Sequence, residues 1–420
     1  MTKLSSRISR LTFGALVILG SSIALVACGG SSGSSDSSGS TSSGSTSGSG
    51  SGSTSTTTPQ NTLAVTLDNG PTGNAFDTPY VTVTVCKPGT TTCATIDHVL
   101  LDTGSYGLRL MQSSALTALS LPTVKTPSGA AAGECAQFVS GFTWGSVRQA
   151  DVKLAGETAS NIPMEIIGDT TSAYANVPSE CASAGADLSS VSAMNANGII
   201  GVGLMAQDCG PTCASDVVGY YYGCSASGCV DSVMPLTSQV GNPVSSFTKD
   251  NNGVILTLPS VAIDGATTLT GSLTFGLGTE TNNAVPGKVY KADENANFVT
   301  TYEGTEFSES FLDSGSNAVY LPFEGTMACT TDTGFLCPTD ITTISATNAS
   351  YDGSNSGTVS FTFVSVETLA DDVYVAAIAA EASDTSGSVD WGLPFFFGRS
   401  IAVAIDGQST PAGTGPFWAY

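Results

Sequence analysis

The chain has 420 residues, of which 41% are hydrophobic, enough to form a large core divided between two lobes. Only 12 Lys and Arg face 35 Asp and Glu, and the resulting net charge of −23 argues against binding to nucleic acid or to anionic lipid headgroups. The 48 glycines and the many short runs of Thr, Val and Ser predict an all-β fold.

Residues 1–27 have the pattern of an export signal, with a basic start followed by an apolar stretch and small residues. Cys28 follows Leu-Val-Ala, which resembles the lipobox of bacterial lipoproteins. The resemblance implies cleavage before Cys28 and acylation of its sulfur, and because Gly29 follows, it also implies sorting to the outer membrane. Residues 28–60 read as a Ser/Gly-rich flexible linker, so only the lipid anchor would hold the folded part at the cell envelope. An ordinary signal peptide with a chance Cys is the alternative.

The other ten of the 11 cysteines form an even set, which predicts disulfides in an exported protein. The four clustered cysteines could close as two nested bridges. They could also form a zinc site, but gaps of three and four residues are not the usual zinc spacing, so disulfides are favoured. The expected sets are Cys86 with Cys93 across a hairpin turn, Cys329 with Cys337 across a loop, the cluster of Cys209, Cys213, Cys224 and Cys229, and the remaining Cys135 and Cys181.

Several chemistries are excluded by what the sequence lacks. His98 is the only histidine, so His-rich metal sites are ruled out, and a Ser-His-Asp triad would have to use it. His98 lies in a strand-like stretch, where we expect a structural role. The glycine-rich run 198–203 has no strand-turn-helix context for dinucleotide binding. We therefore expect no cofactor and no metal, and carboxylates remain as the catalytic candidates.

An internal repeat supplies two such carboxylates. The segments Leu100–Leu110 and Phe311–Leu321 align in register, with Asp102 and Asp313 at the same position. Each copy ends an apolar strand, turns on a glycine and resumes an apolar run. One such motif alone is a common turn, but two in matched contexts, about half a chain apart, are a specific signal.

Two carboxylates brought within about 3 Å of each other cannot both ionise, so one keeps a proton. The ionised partner can activate a water, and the protonated partner can polarise a carbonyl. The neighbouring hydroxyls would tie the two loops together and bind the outer carboxylate oxygens, while the glycines permit close approach. The predicted site therefore comprises Asp102 and Asp313 with the supporting residues Thr103, Gly104, Ser105, Ser314, Gly315 and Ser316.

With these signatures, the chain resembles the pepsin-like aspartic peptidases over roughly residues 75–420. It also resembles, as a whole, a family of uncharacterised bacterial lipoproteins of unknown function. The matching segments are the hairpin before the first aspartate (80–102), the flap hairpin and its following strand (136–156), two apolar-Gly segments (197–203 and 391–406) and a strand that opens the second half (270–278).

The resemblance implies a bilobal, pepsin-like double β-barrel with pseudo-two-fold symmetry and a cleft between an N-terminal lobe, 61–240, and a C-terminal lobe, 241–420. It also implies a monomer in which Asp102 and Asp313 form a catalytic dyad and a polypeptide substrate lies in the cleft. This chain departs from the family at the flap, where Phe138 takes the place of the usual Tyr, and at Arg109, where an apolar or Trp residue usually braces that Tyr.

Two functions follow from these observations. The first is a membrane-tethered aspartic-type endopeptidase. The second is a catalytically inactive fold of the same kind that binds a peptide or a glycan at the cell envelope.

Overall fold

The computed structural model describes residues 60–322, 327–382 and 387–420. The predicted signal peptide, the lipidation site Cys28 and almost all of the predicted linker lie outside the described residues. Within the described ranges the protein is mainly β, which confirms the predicted all-β class.

The described residues form 25 strands. They are β1 (Thr62–Leu67), β2 (Pro79–Cys86), β3 (Cys93–Asp102), β4 (Tyr106–Met111), β5 (Ala131–Phe138), β6 (Gly141–Leu154), β7 (Glu157–Ile167), β8 (Ala186–Asp187), β9 (Gly198–Val202), β10 (Tyr221–Ser225), β11 (Gly228–Asp231), β12 (Gly253–Leu258), β13 (Leu269–Phe275), β14 (Val289–Lys291), β15 (Phe298–Tyr302), β16 (Thr305–Asp313), β17 (Val319–Leu321), β18 (Thr342–Ala349), β19 (Ser356–Phe363), β20 (Ala379–Glu381), β21 (Asp390–Gly392), β22 (Arg399–Ala404), β23 (Ser409–Thr410), β24 (Gly413–Thr414) and β25 (Phe417–Ala419).

The helices of the described residues are all short. The α-helices are α1 (Ser114–Leu119), α2 (Ser179–Ala182), α3 (Val191–Met194) and α4 (Gly210–Ser215), and the 3₁₀ helices are Leu236–Ser238, Pro243–Ser246, Val366–Thr368 and Leu393–Phe396. In the part of the chain that the structure describes, no helix has the length and apolar character needed to span a membrane.

A six-stranded closed barrel organises the first half of the fold. Its strands follow the order β2, β3, β9, β4, β7 and β6, and the pairing of β6 with β2 closes the ring. Two of the neighbouring pairs, β3 with β9 and β4 with β7, run parallel, whereas the other pairs are antiparallel. Because parallel strands are covered on both faces, their sequences are nearly continuous apolar runs, as in the fully buried Gly198–Val202.

The second half is built from two further groups of strands. Strand β1 connects barrel strand β2 to β13, and the sheet continues through β12, β22, β25 and β14. A separate seven-stranded sheet has the order β19, β18, β15, β16, β21, β17 and β20. In it, β21 pairs parallel with β16 and antiparallel with β17, as β9 does with β3 and β4 in the barrel. The internal repeat of the sequence is thus also a repeat of strand pairing.

Five disulfides cross-link the described part of the chain. The predicted pairs Cys86–Cys93 and Cys329–Cys337 form, and Cys135 pairs with Cys181. The expectation of two nested bridges in the four-cysteine cluster is wrong, because the bonds are Cys209–Cys213 and Cys224–Cys229.

Local geometry decides the pairing within that cluster. Cys224 and Cys229 face each other across the β10–β11 hairpin, and Cys209 precedes the helix α4 that contains Cys213. All four sulfurs are therefore consumed within two tight local elements, which also removes the zinc-site alternative.

Candidate functional site

The two signature loops start at equivalent points of the fold. Asp102 ends β3 beside Gly201 of β9, and Asp313 ends β16 beside Gly392 of β21. After each aspartate the chain turns and re-enters the same sheet, as β4 in the first half and as β17 in the second. Strand β4 runs antiparallel to β9, and β17 runs antiparallel to β21. Both aspartates are therefore carried by short loops anchored on two sides by strands.

The loops meet so closely that only glycine fits at their tips. A Cβ atom at Gly104 would lie 2.7 Å from the Cγ of Asp313, and one at Gly315 would lie 2.8 Å from the Oδ1 of Asp102. Since Cβ atoms do not approach other heavy atoms this closely, a side chain at either position would push the carboxyl groups apart. The two glycines thus permit the contact between Asp102 and Asp313.

Backbone amides bind one oxygen of each carboxyl group. The N–H of Gly104 donates to Asp102 Oδ1 at 2.7 Å, and the N–H of Gly315 donates to Asp313 Oδ1 at 2.7 Å. The second oxygen of each group accepts from the predicted serine, at 2.5 Å from Ser105 Oγ and 2.8 Å from Ser316 Oγ. These bonds orient the two carboxyl groups in the same way within each half of the repeat.

Two hydroxyl groups cross from one loop to the other. Thr103 Oγ1 donates to the carbonyl of Leu312 at 3.0 Å and accepts from the N–H of Ser314 at 2.9 Å. Ser314 Oγ makes the equivalent two bonds in the opposite direction: it donates to the carbonyl of Leu101 at 2.8 Å and accepts from the N–H of Thr103 at 3.1 Å. The reciprocal set of four bonds is buried, so it holds the two loops in one relative position.

The electrostatics of the site favour a shared proton. Asp102 and Asp313 are only 5% and 2% exposed. Burial raises the pKa of Asp313 well above its usual range, and the charge of Asp102, the charge of Asp390 and a hydrogen bond with Asp102 raise it further. A proton on Asp313 beside the charge of Asp102 is therefore the arrangement that burial and this contact favour.

The segment predicted to be a flap forms a hairpin of β5 and β6. Phe138 ends β5 opposite Gly141 of β6, and its ring is buried, with no hydroxyl group to offer. Beneath the hairpin is a cavity of about 10 Å³, room for a single water molecule. It is lined by Ser105, Tyr106, Arg109, Gln137, Phe138, Asp208 and Tyr220.

The sequence reasoning noted Arg109 but missed its role. The guanidinium group is 1% exposed and contacts three buried carboxylates, with nitrogen–oxygen distances of 2.7 Å to Glu134, 2.8 Å to Asp208 and 3.6 Å to Glu165. It also donates to the carbonyl of Tyr106, next to the first signature, at 2.8 Å. The only available signal was the pattern of acids inside apolar runs, such as Glu165 in β7.

A third carboxyl group near the dyad was also missed. Asp390 is buried beside Ser316, with which it shares a hydrogen bond. It precedes Gly392 by two residues, where the first half of the repeat has Ile199. An acid at an apolar position of the repeat, between Val389 and Trp391, was the signal that could have found it.

The remaining predicted residues lie away from this site. His98 is on β3, where its Nε2 is 3.4 Å from Asp68 Oδ2 and its ring contacts Tyr80, so it takes no part in a triad with the signature residues. Among the described residues, one group of side chains is compact enough to hold a metal ion, but two of its members are joined in a disulfide. That group is Cys329, Cys337 and Glu367.

Comparison with known proteins gives a family but no activity. A search among curated proteins finds no match. Of the protein families, the model described as "Protein of unknown function (DUF3443)" matches residues 57–420, which include both signature loops, the flap hairpin and every described strand. The chain therefore belongs to the DUF3443 family.

Proposed function

We propose that this protein is an aspartic-type endopeptidase whose catalytic pair is Asp102 and Asp313. The observation that carries the proposal is the contact of two buried carboxyl groups, each held by its own glycine N–H and serine hydroxyl, across loops locked by Thr103 and Ser314. Such an arrangement is costly for a fold to keep, because two adjacent carboxyl groups in a buried site oppose each other's ionisation.

The chemistry follows from the single proton that the pair shares. The ionised carboxylate takes a proton from a water molecule bound between the two groups, and that water attacks the carbonyl carbon of a peptide bond. The protonated carboxyl group donates to the carbonyl oxygen as negative charge develops there. As the C–N bond breaks, the proton taken from the water passes to the leaving nitrogen, and a hydroxyl of the tetrahedral intermediate returns its proton to the pair as the new carbonyl forms, so the pair is again singly protonated.

The proposed architecture is bilobal and pepsin-like, with lobes 61–240 and 241–420 and the pair in a cleft between them. The repeated strand pairing around β9 and β21, and the equivalent hydrogen bonds of the two signature loops, support this assignment. In this arrangement the β5–β6 hairpin would act as a flap over one side of the cleft, with Phe138 contacting substrate through its ring alone.

We further propose that the enzyme works at the cell envelope as a monomer, tethered through Cys28. Five disulfides fit an oxidising compartment outside the cytoplasm. A polypeptide is the proposed substrate, and the proposed reaction requires no cofactor.

The second candidate is a binding module without catalysis. It is favoured by the flap, where Phe138 is buried and the cavity beneath the hairpin holds about one water molecule. In that case an extended peptide or a glycan would occupy the cleft without being cut.

The test is proteolysis by the full-length protein purified in detergent. Cleavage of a denatured polypeptide is followed from acid to neutral pH, with and without a statine-type inhibitor. We expect inhibitor-sensitive cleavage, reduced about 10²–10⁴-fold in kcat by Asp102→Asn or Asp313→Asn, because each variant removes one proton-transfer group.

The matched control is Asp77→Asn, which changes another buried aspartate that is not part of the site and should leave kcat within about 3-fold. Folded wild-type protein that shows no inhibitor-sensitive cleavage would exclude the peptidase. Saturable retention of the intact polypeptide in that case would support the binding module.

A further inference from the structure

The two halves of the internal repeat differ at one position beside the dyad. In the first half, Ile199 of β9 lies opposite Leu100, two residues before Asp102. In the second half, Asp390 of β21 lies opposite Phe311, two residues before Asp313. A carboxyl group thus replaces an aliphatic side chain on the Asp313 side only, so the surroundings of the two aspartates are not equivalent.

Asp390 is held in the protein interior by few polar partners. It is 7% exposed, and its Oδ1 has no hydrogen-bond partner among the described residues. Its side chain shares a hydrogen bond with Ser316. The titratable groups that face it are Asp313 on β16, Tyr320 on β17 and Asp102 from β3. No cation pairs with it in the described part of the chain.

Ser316 lies between Asp390 and Asp313 and is a hydrogen-bond partner of both. Ser316 Oγ donates to Asp313 Oδ2 at 2.8 Å. Burial raises the pKa of Asp390 and the charge of Asp102 adds to this, while the bond with Ser316 offsets only part of the rise. Asp390 is therefore a third buried acid next to the dyad, on the side of Asp313.

We propose that Asp390 is a positioning residue for the dyad: its buried carboxyl group, which lies on the Asp313 side without a cation among the described residues, favours the shared proton on Asp313 and keeps the pair singly protonated to a higher pH. This inference rests on the peptidase proposed above. Asp390 does not contact substrate in this role, and Asp102 is left as the carboxylate that activates water.

The pH effect arises because three carboxyl groups share the available protons. When the cluster loses a further proton, Asp390 can release it and leave the dyad singly protonated. The negative charge that then resides on Asp390 opposes loss of the last proton from the dyad. Without an acid at position 390, the dyad must give up that proton with no neighbouring charge to oppose it.

The catalytic test compares the pH profiles of kcat/KM for the wild type, Asp390→Asn and Asp390→Ile. Isoleucine is the residue that the first half carries at the equivalent position, and asparagine preserves the shape and the ability to form a hydrogen bond with Ser316. Because both remove the third acid, we expect both to move the alkaline limb of the profile to lower pH by about one pH unit. The Asn variant should keep its maximal rate within about 3-fold, whereas Ile, which cannot form a hydrogen bond with Ser316, should lose about 10-fold.

A merely structural role predicts a different result. Substitution of a buried acid would then lower the folded fraction without moving the alkaline limb. Asp77→Asn is the matched control for this effect, because it removes a buried acid whose pKa is also raised by burial but which does not interact with the dyad. An Asp390→Asn profile that superimposes on the wild type would overturn the proposal.

A second measurement needs no activity and separates this inference from the proposed function. The thermal midpoint of wild type and Asp390→Asn is followed from pH 4 to pH 8. A raised folded-state pKa means that the stability tied to the proton of Asp390 is present at low pH and is lost as pH rises through that pKa. The thermal midpoint of the wild type should therefore fall relative to that of Asp390→Asn as pH rises. A difference that is constant with pH would overturn the inference, whereas absence of cleavage by the wild type would overturn the peptidase.

Discussion

Thr103 and Ser314 carry the contacts that hold the two carboxyl groups together. Each hydroxyl donates one bond and accepts one bond across the junction between the loops, and both residues are almost completely buried. Loss of either hydroxyl leaves a backbone N–H and a carbonyl without partners in the protein interior. Burying an unpaired N–H or carbonyl group costs more free energy than the hydrogen bond contributed in the folded protein.

We predict that Thr103→Val lowers the free energy of unfolding by about 2–4 kcal/mol, since it leaves the N–H of Ser314 and the carbonyl of Leu312 unpaired at nearly constant side-chain volume. Thr103→Ser keeps the hydroxyl and is the control, with an expected loss below about 1.5 kcal/mol. Urea denaturation at neutral pH measures both. Equal destabilisation by Val and Ser would mean that the methyl group, and not the hydroxyl, holds the loops.

A charge network joins the β5–β6 hairpin to several neighbouring elements. Arg109 of β4 lies opposite Glu165 of β7, and it also binds Glu134 of β5 and Asp208 in the loop before α4. Thr143 and Tyr221 donate further hydrogen bonds to Glu165 and Asp208. A single cation thus holds three buried carboxyl groups at the base of the hairpin.

Replacement of Arg109 by Met should therefore lower the free energy of unfolding by about 3–5 kcal/mol at neutral pH, because it leaves buried acids without a cation. Burial raises the pKa of Glu165 and of Asp208, and the charge of Glu134 raises both further. Their protons stabilise the fold at low pH, and this stabilisation is lost as pH rises through the raised pKa values, so the deficit of the variant should grow with pH.

Thermal denaturation from pH 4.5 to pH 8 measures this deficit. The control is Lys291→Met, whose ammonium group is exposed beside Asp352 and whose loss should leave stability almost unchanged at every pH. If the two variants lose the same stability at every pH, then Arg109 acts through packing of its stem and not through its charge.

In the molecule as a whole, several buried acids bind protons more tightly than they would in the unfolded chain. Burial raises the pKa of five carboxyl groups well above the usual range, so the folded chain binds more protons than the unfolded chain at mildly acidic and neutral pH. The groups are Asp77, Glu165, Asp208, Asp313 and Asp390. The net charge of −23 adds general repulsion as the remaining acids ionise.

We accordingly predict that the thermal midpoint is highest at mildly acidic pH and falls steadily from about pH 5 to pH 8. Other acids limit stability on the acid side. Hydrogen bonds from the backbone and side chain of Thr331 lower the pKa of Glu367 to about 2, and its contribution is lost as pH falls below about 4 toward that value. Differential scanning calorimetry between pH 3 and pH 9 tests the curve. A midpoint that rises toward pH 8 would contradict the linkage.

Local sequence was sufficient for a large part of the candidate site. Asp, Gly and Ser at fixed spacing after an apolar strand specify a tight loop, because glycine admits close approach and the hydroxyl and amide groups bind the adjacent carboxylate. The crossing hydroxyls of Thr103 and Ser314 could be predicted for the same reason, whereas the hairpin within 136–156 was expected from the resemblance to the pepsin-like peptidases. Spacing favoured the local pairs Cys86–Cys93 and Cys329–Cys337, which form, although the sequence did not settle the connectivity of the ten cysteines.

The sequence by itself therefore determined the all-β class, the repeat and the paired loops, since each rests on short-range patterns of side chains and turns. Only the tertiary structure decided that Arg109 gathers three acids, that Asp390 joins Ser316, and that the cysteine cluster pairs sequentially. Those outcomes depend on which strands become neighbours and on how far burial removes water from a charge. Neither quantity can be read from residues that lie tens or hundreds of positions apart in the chain.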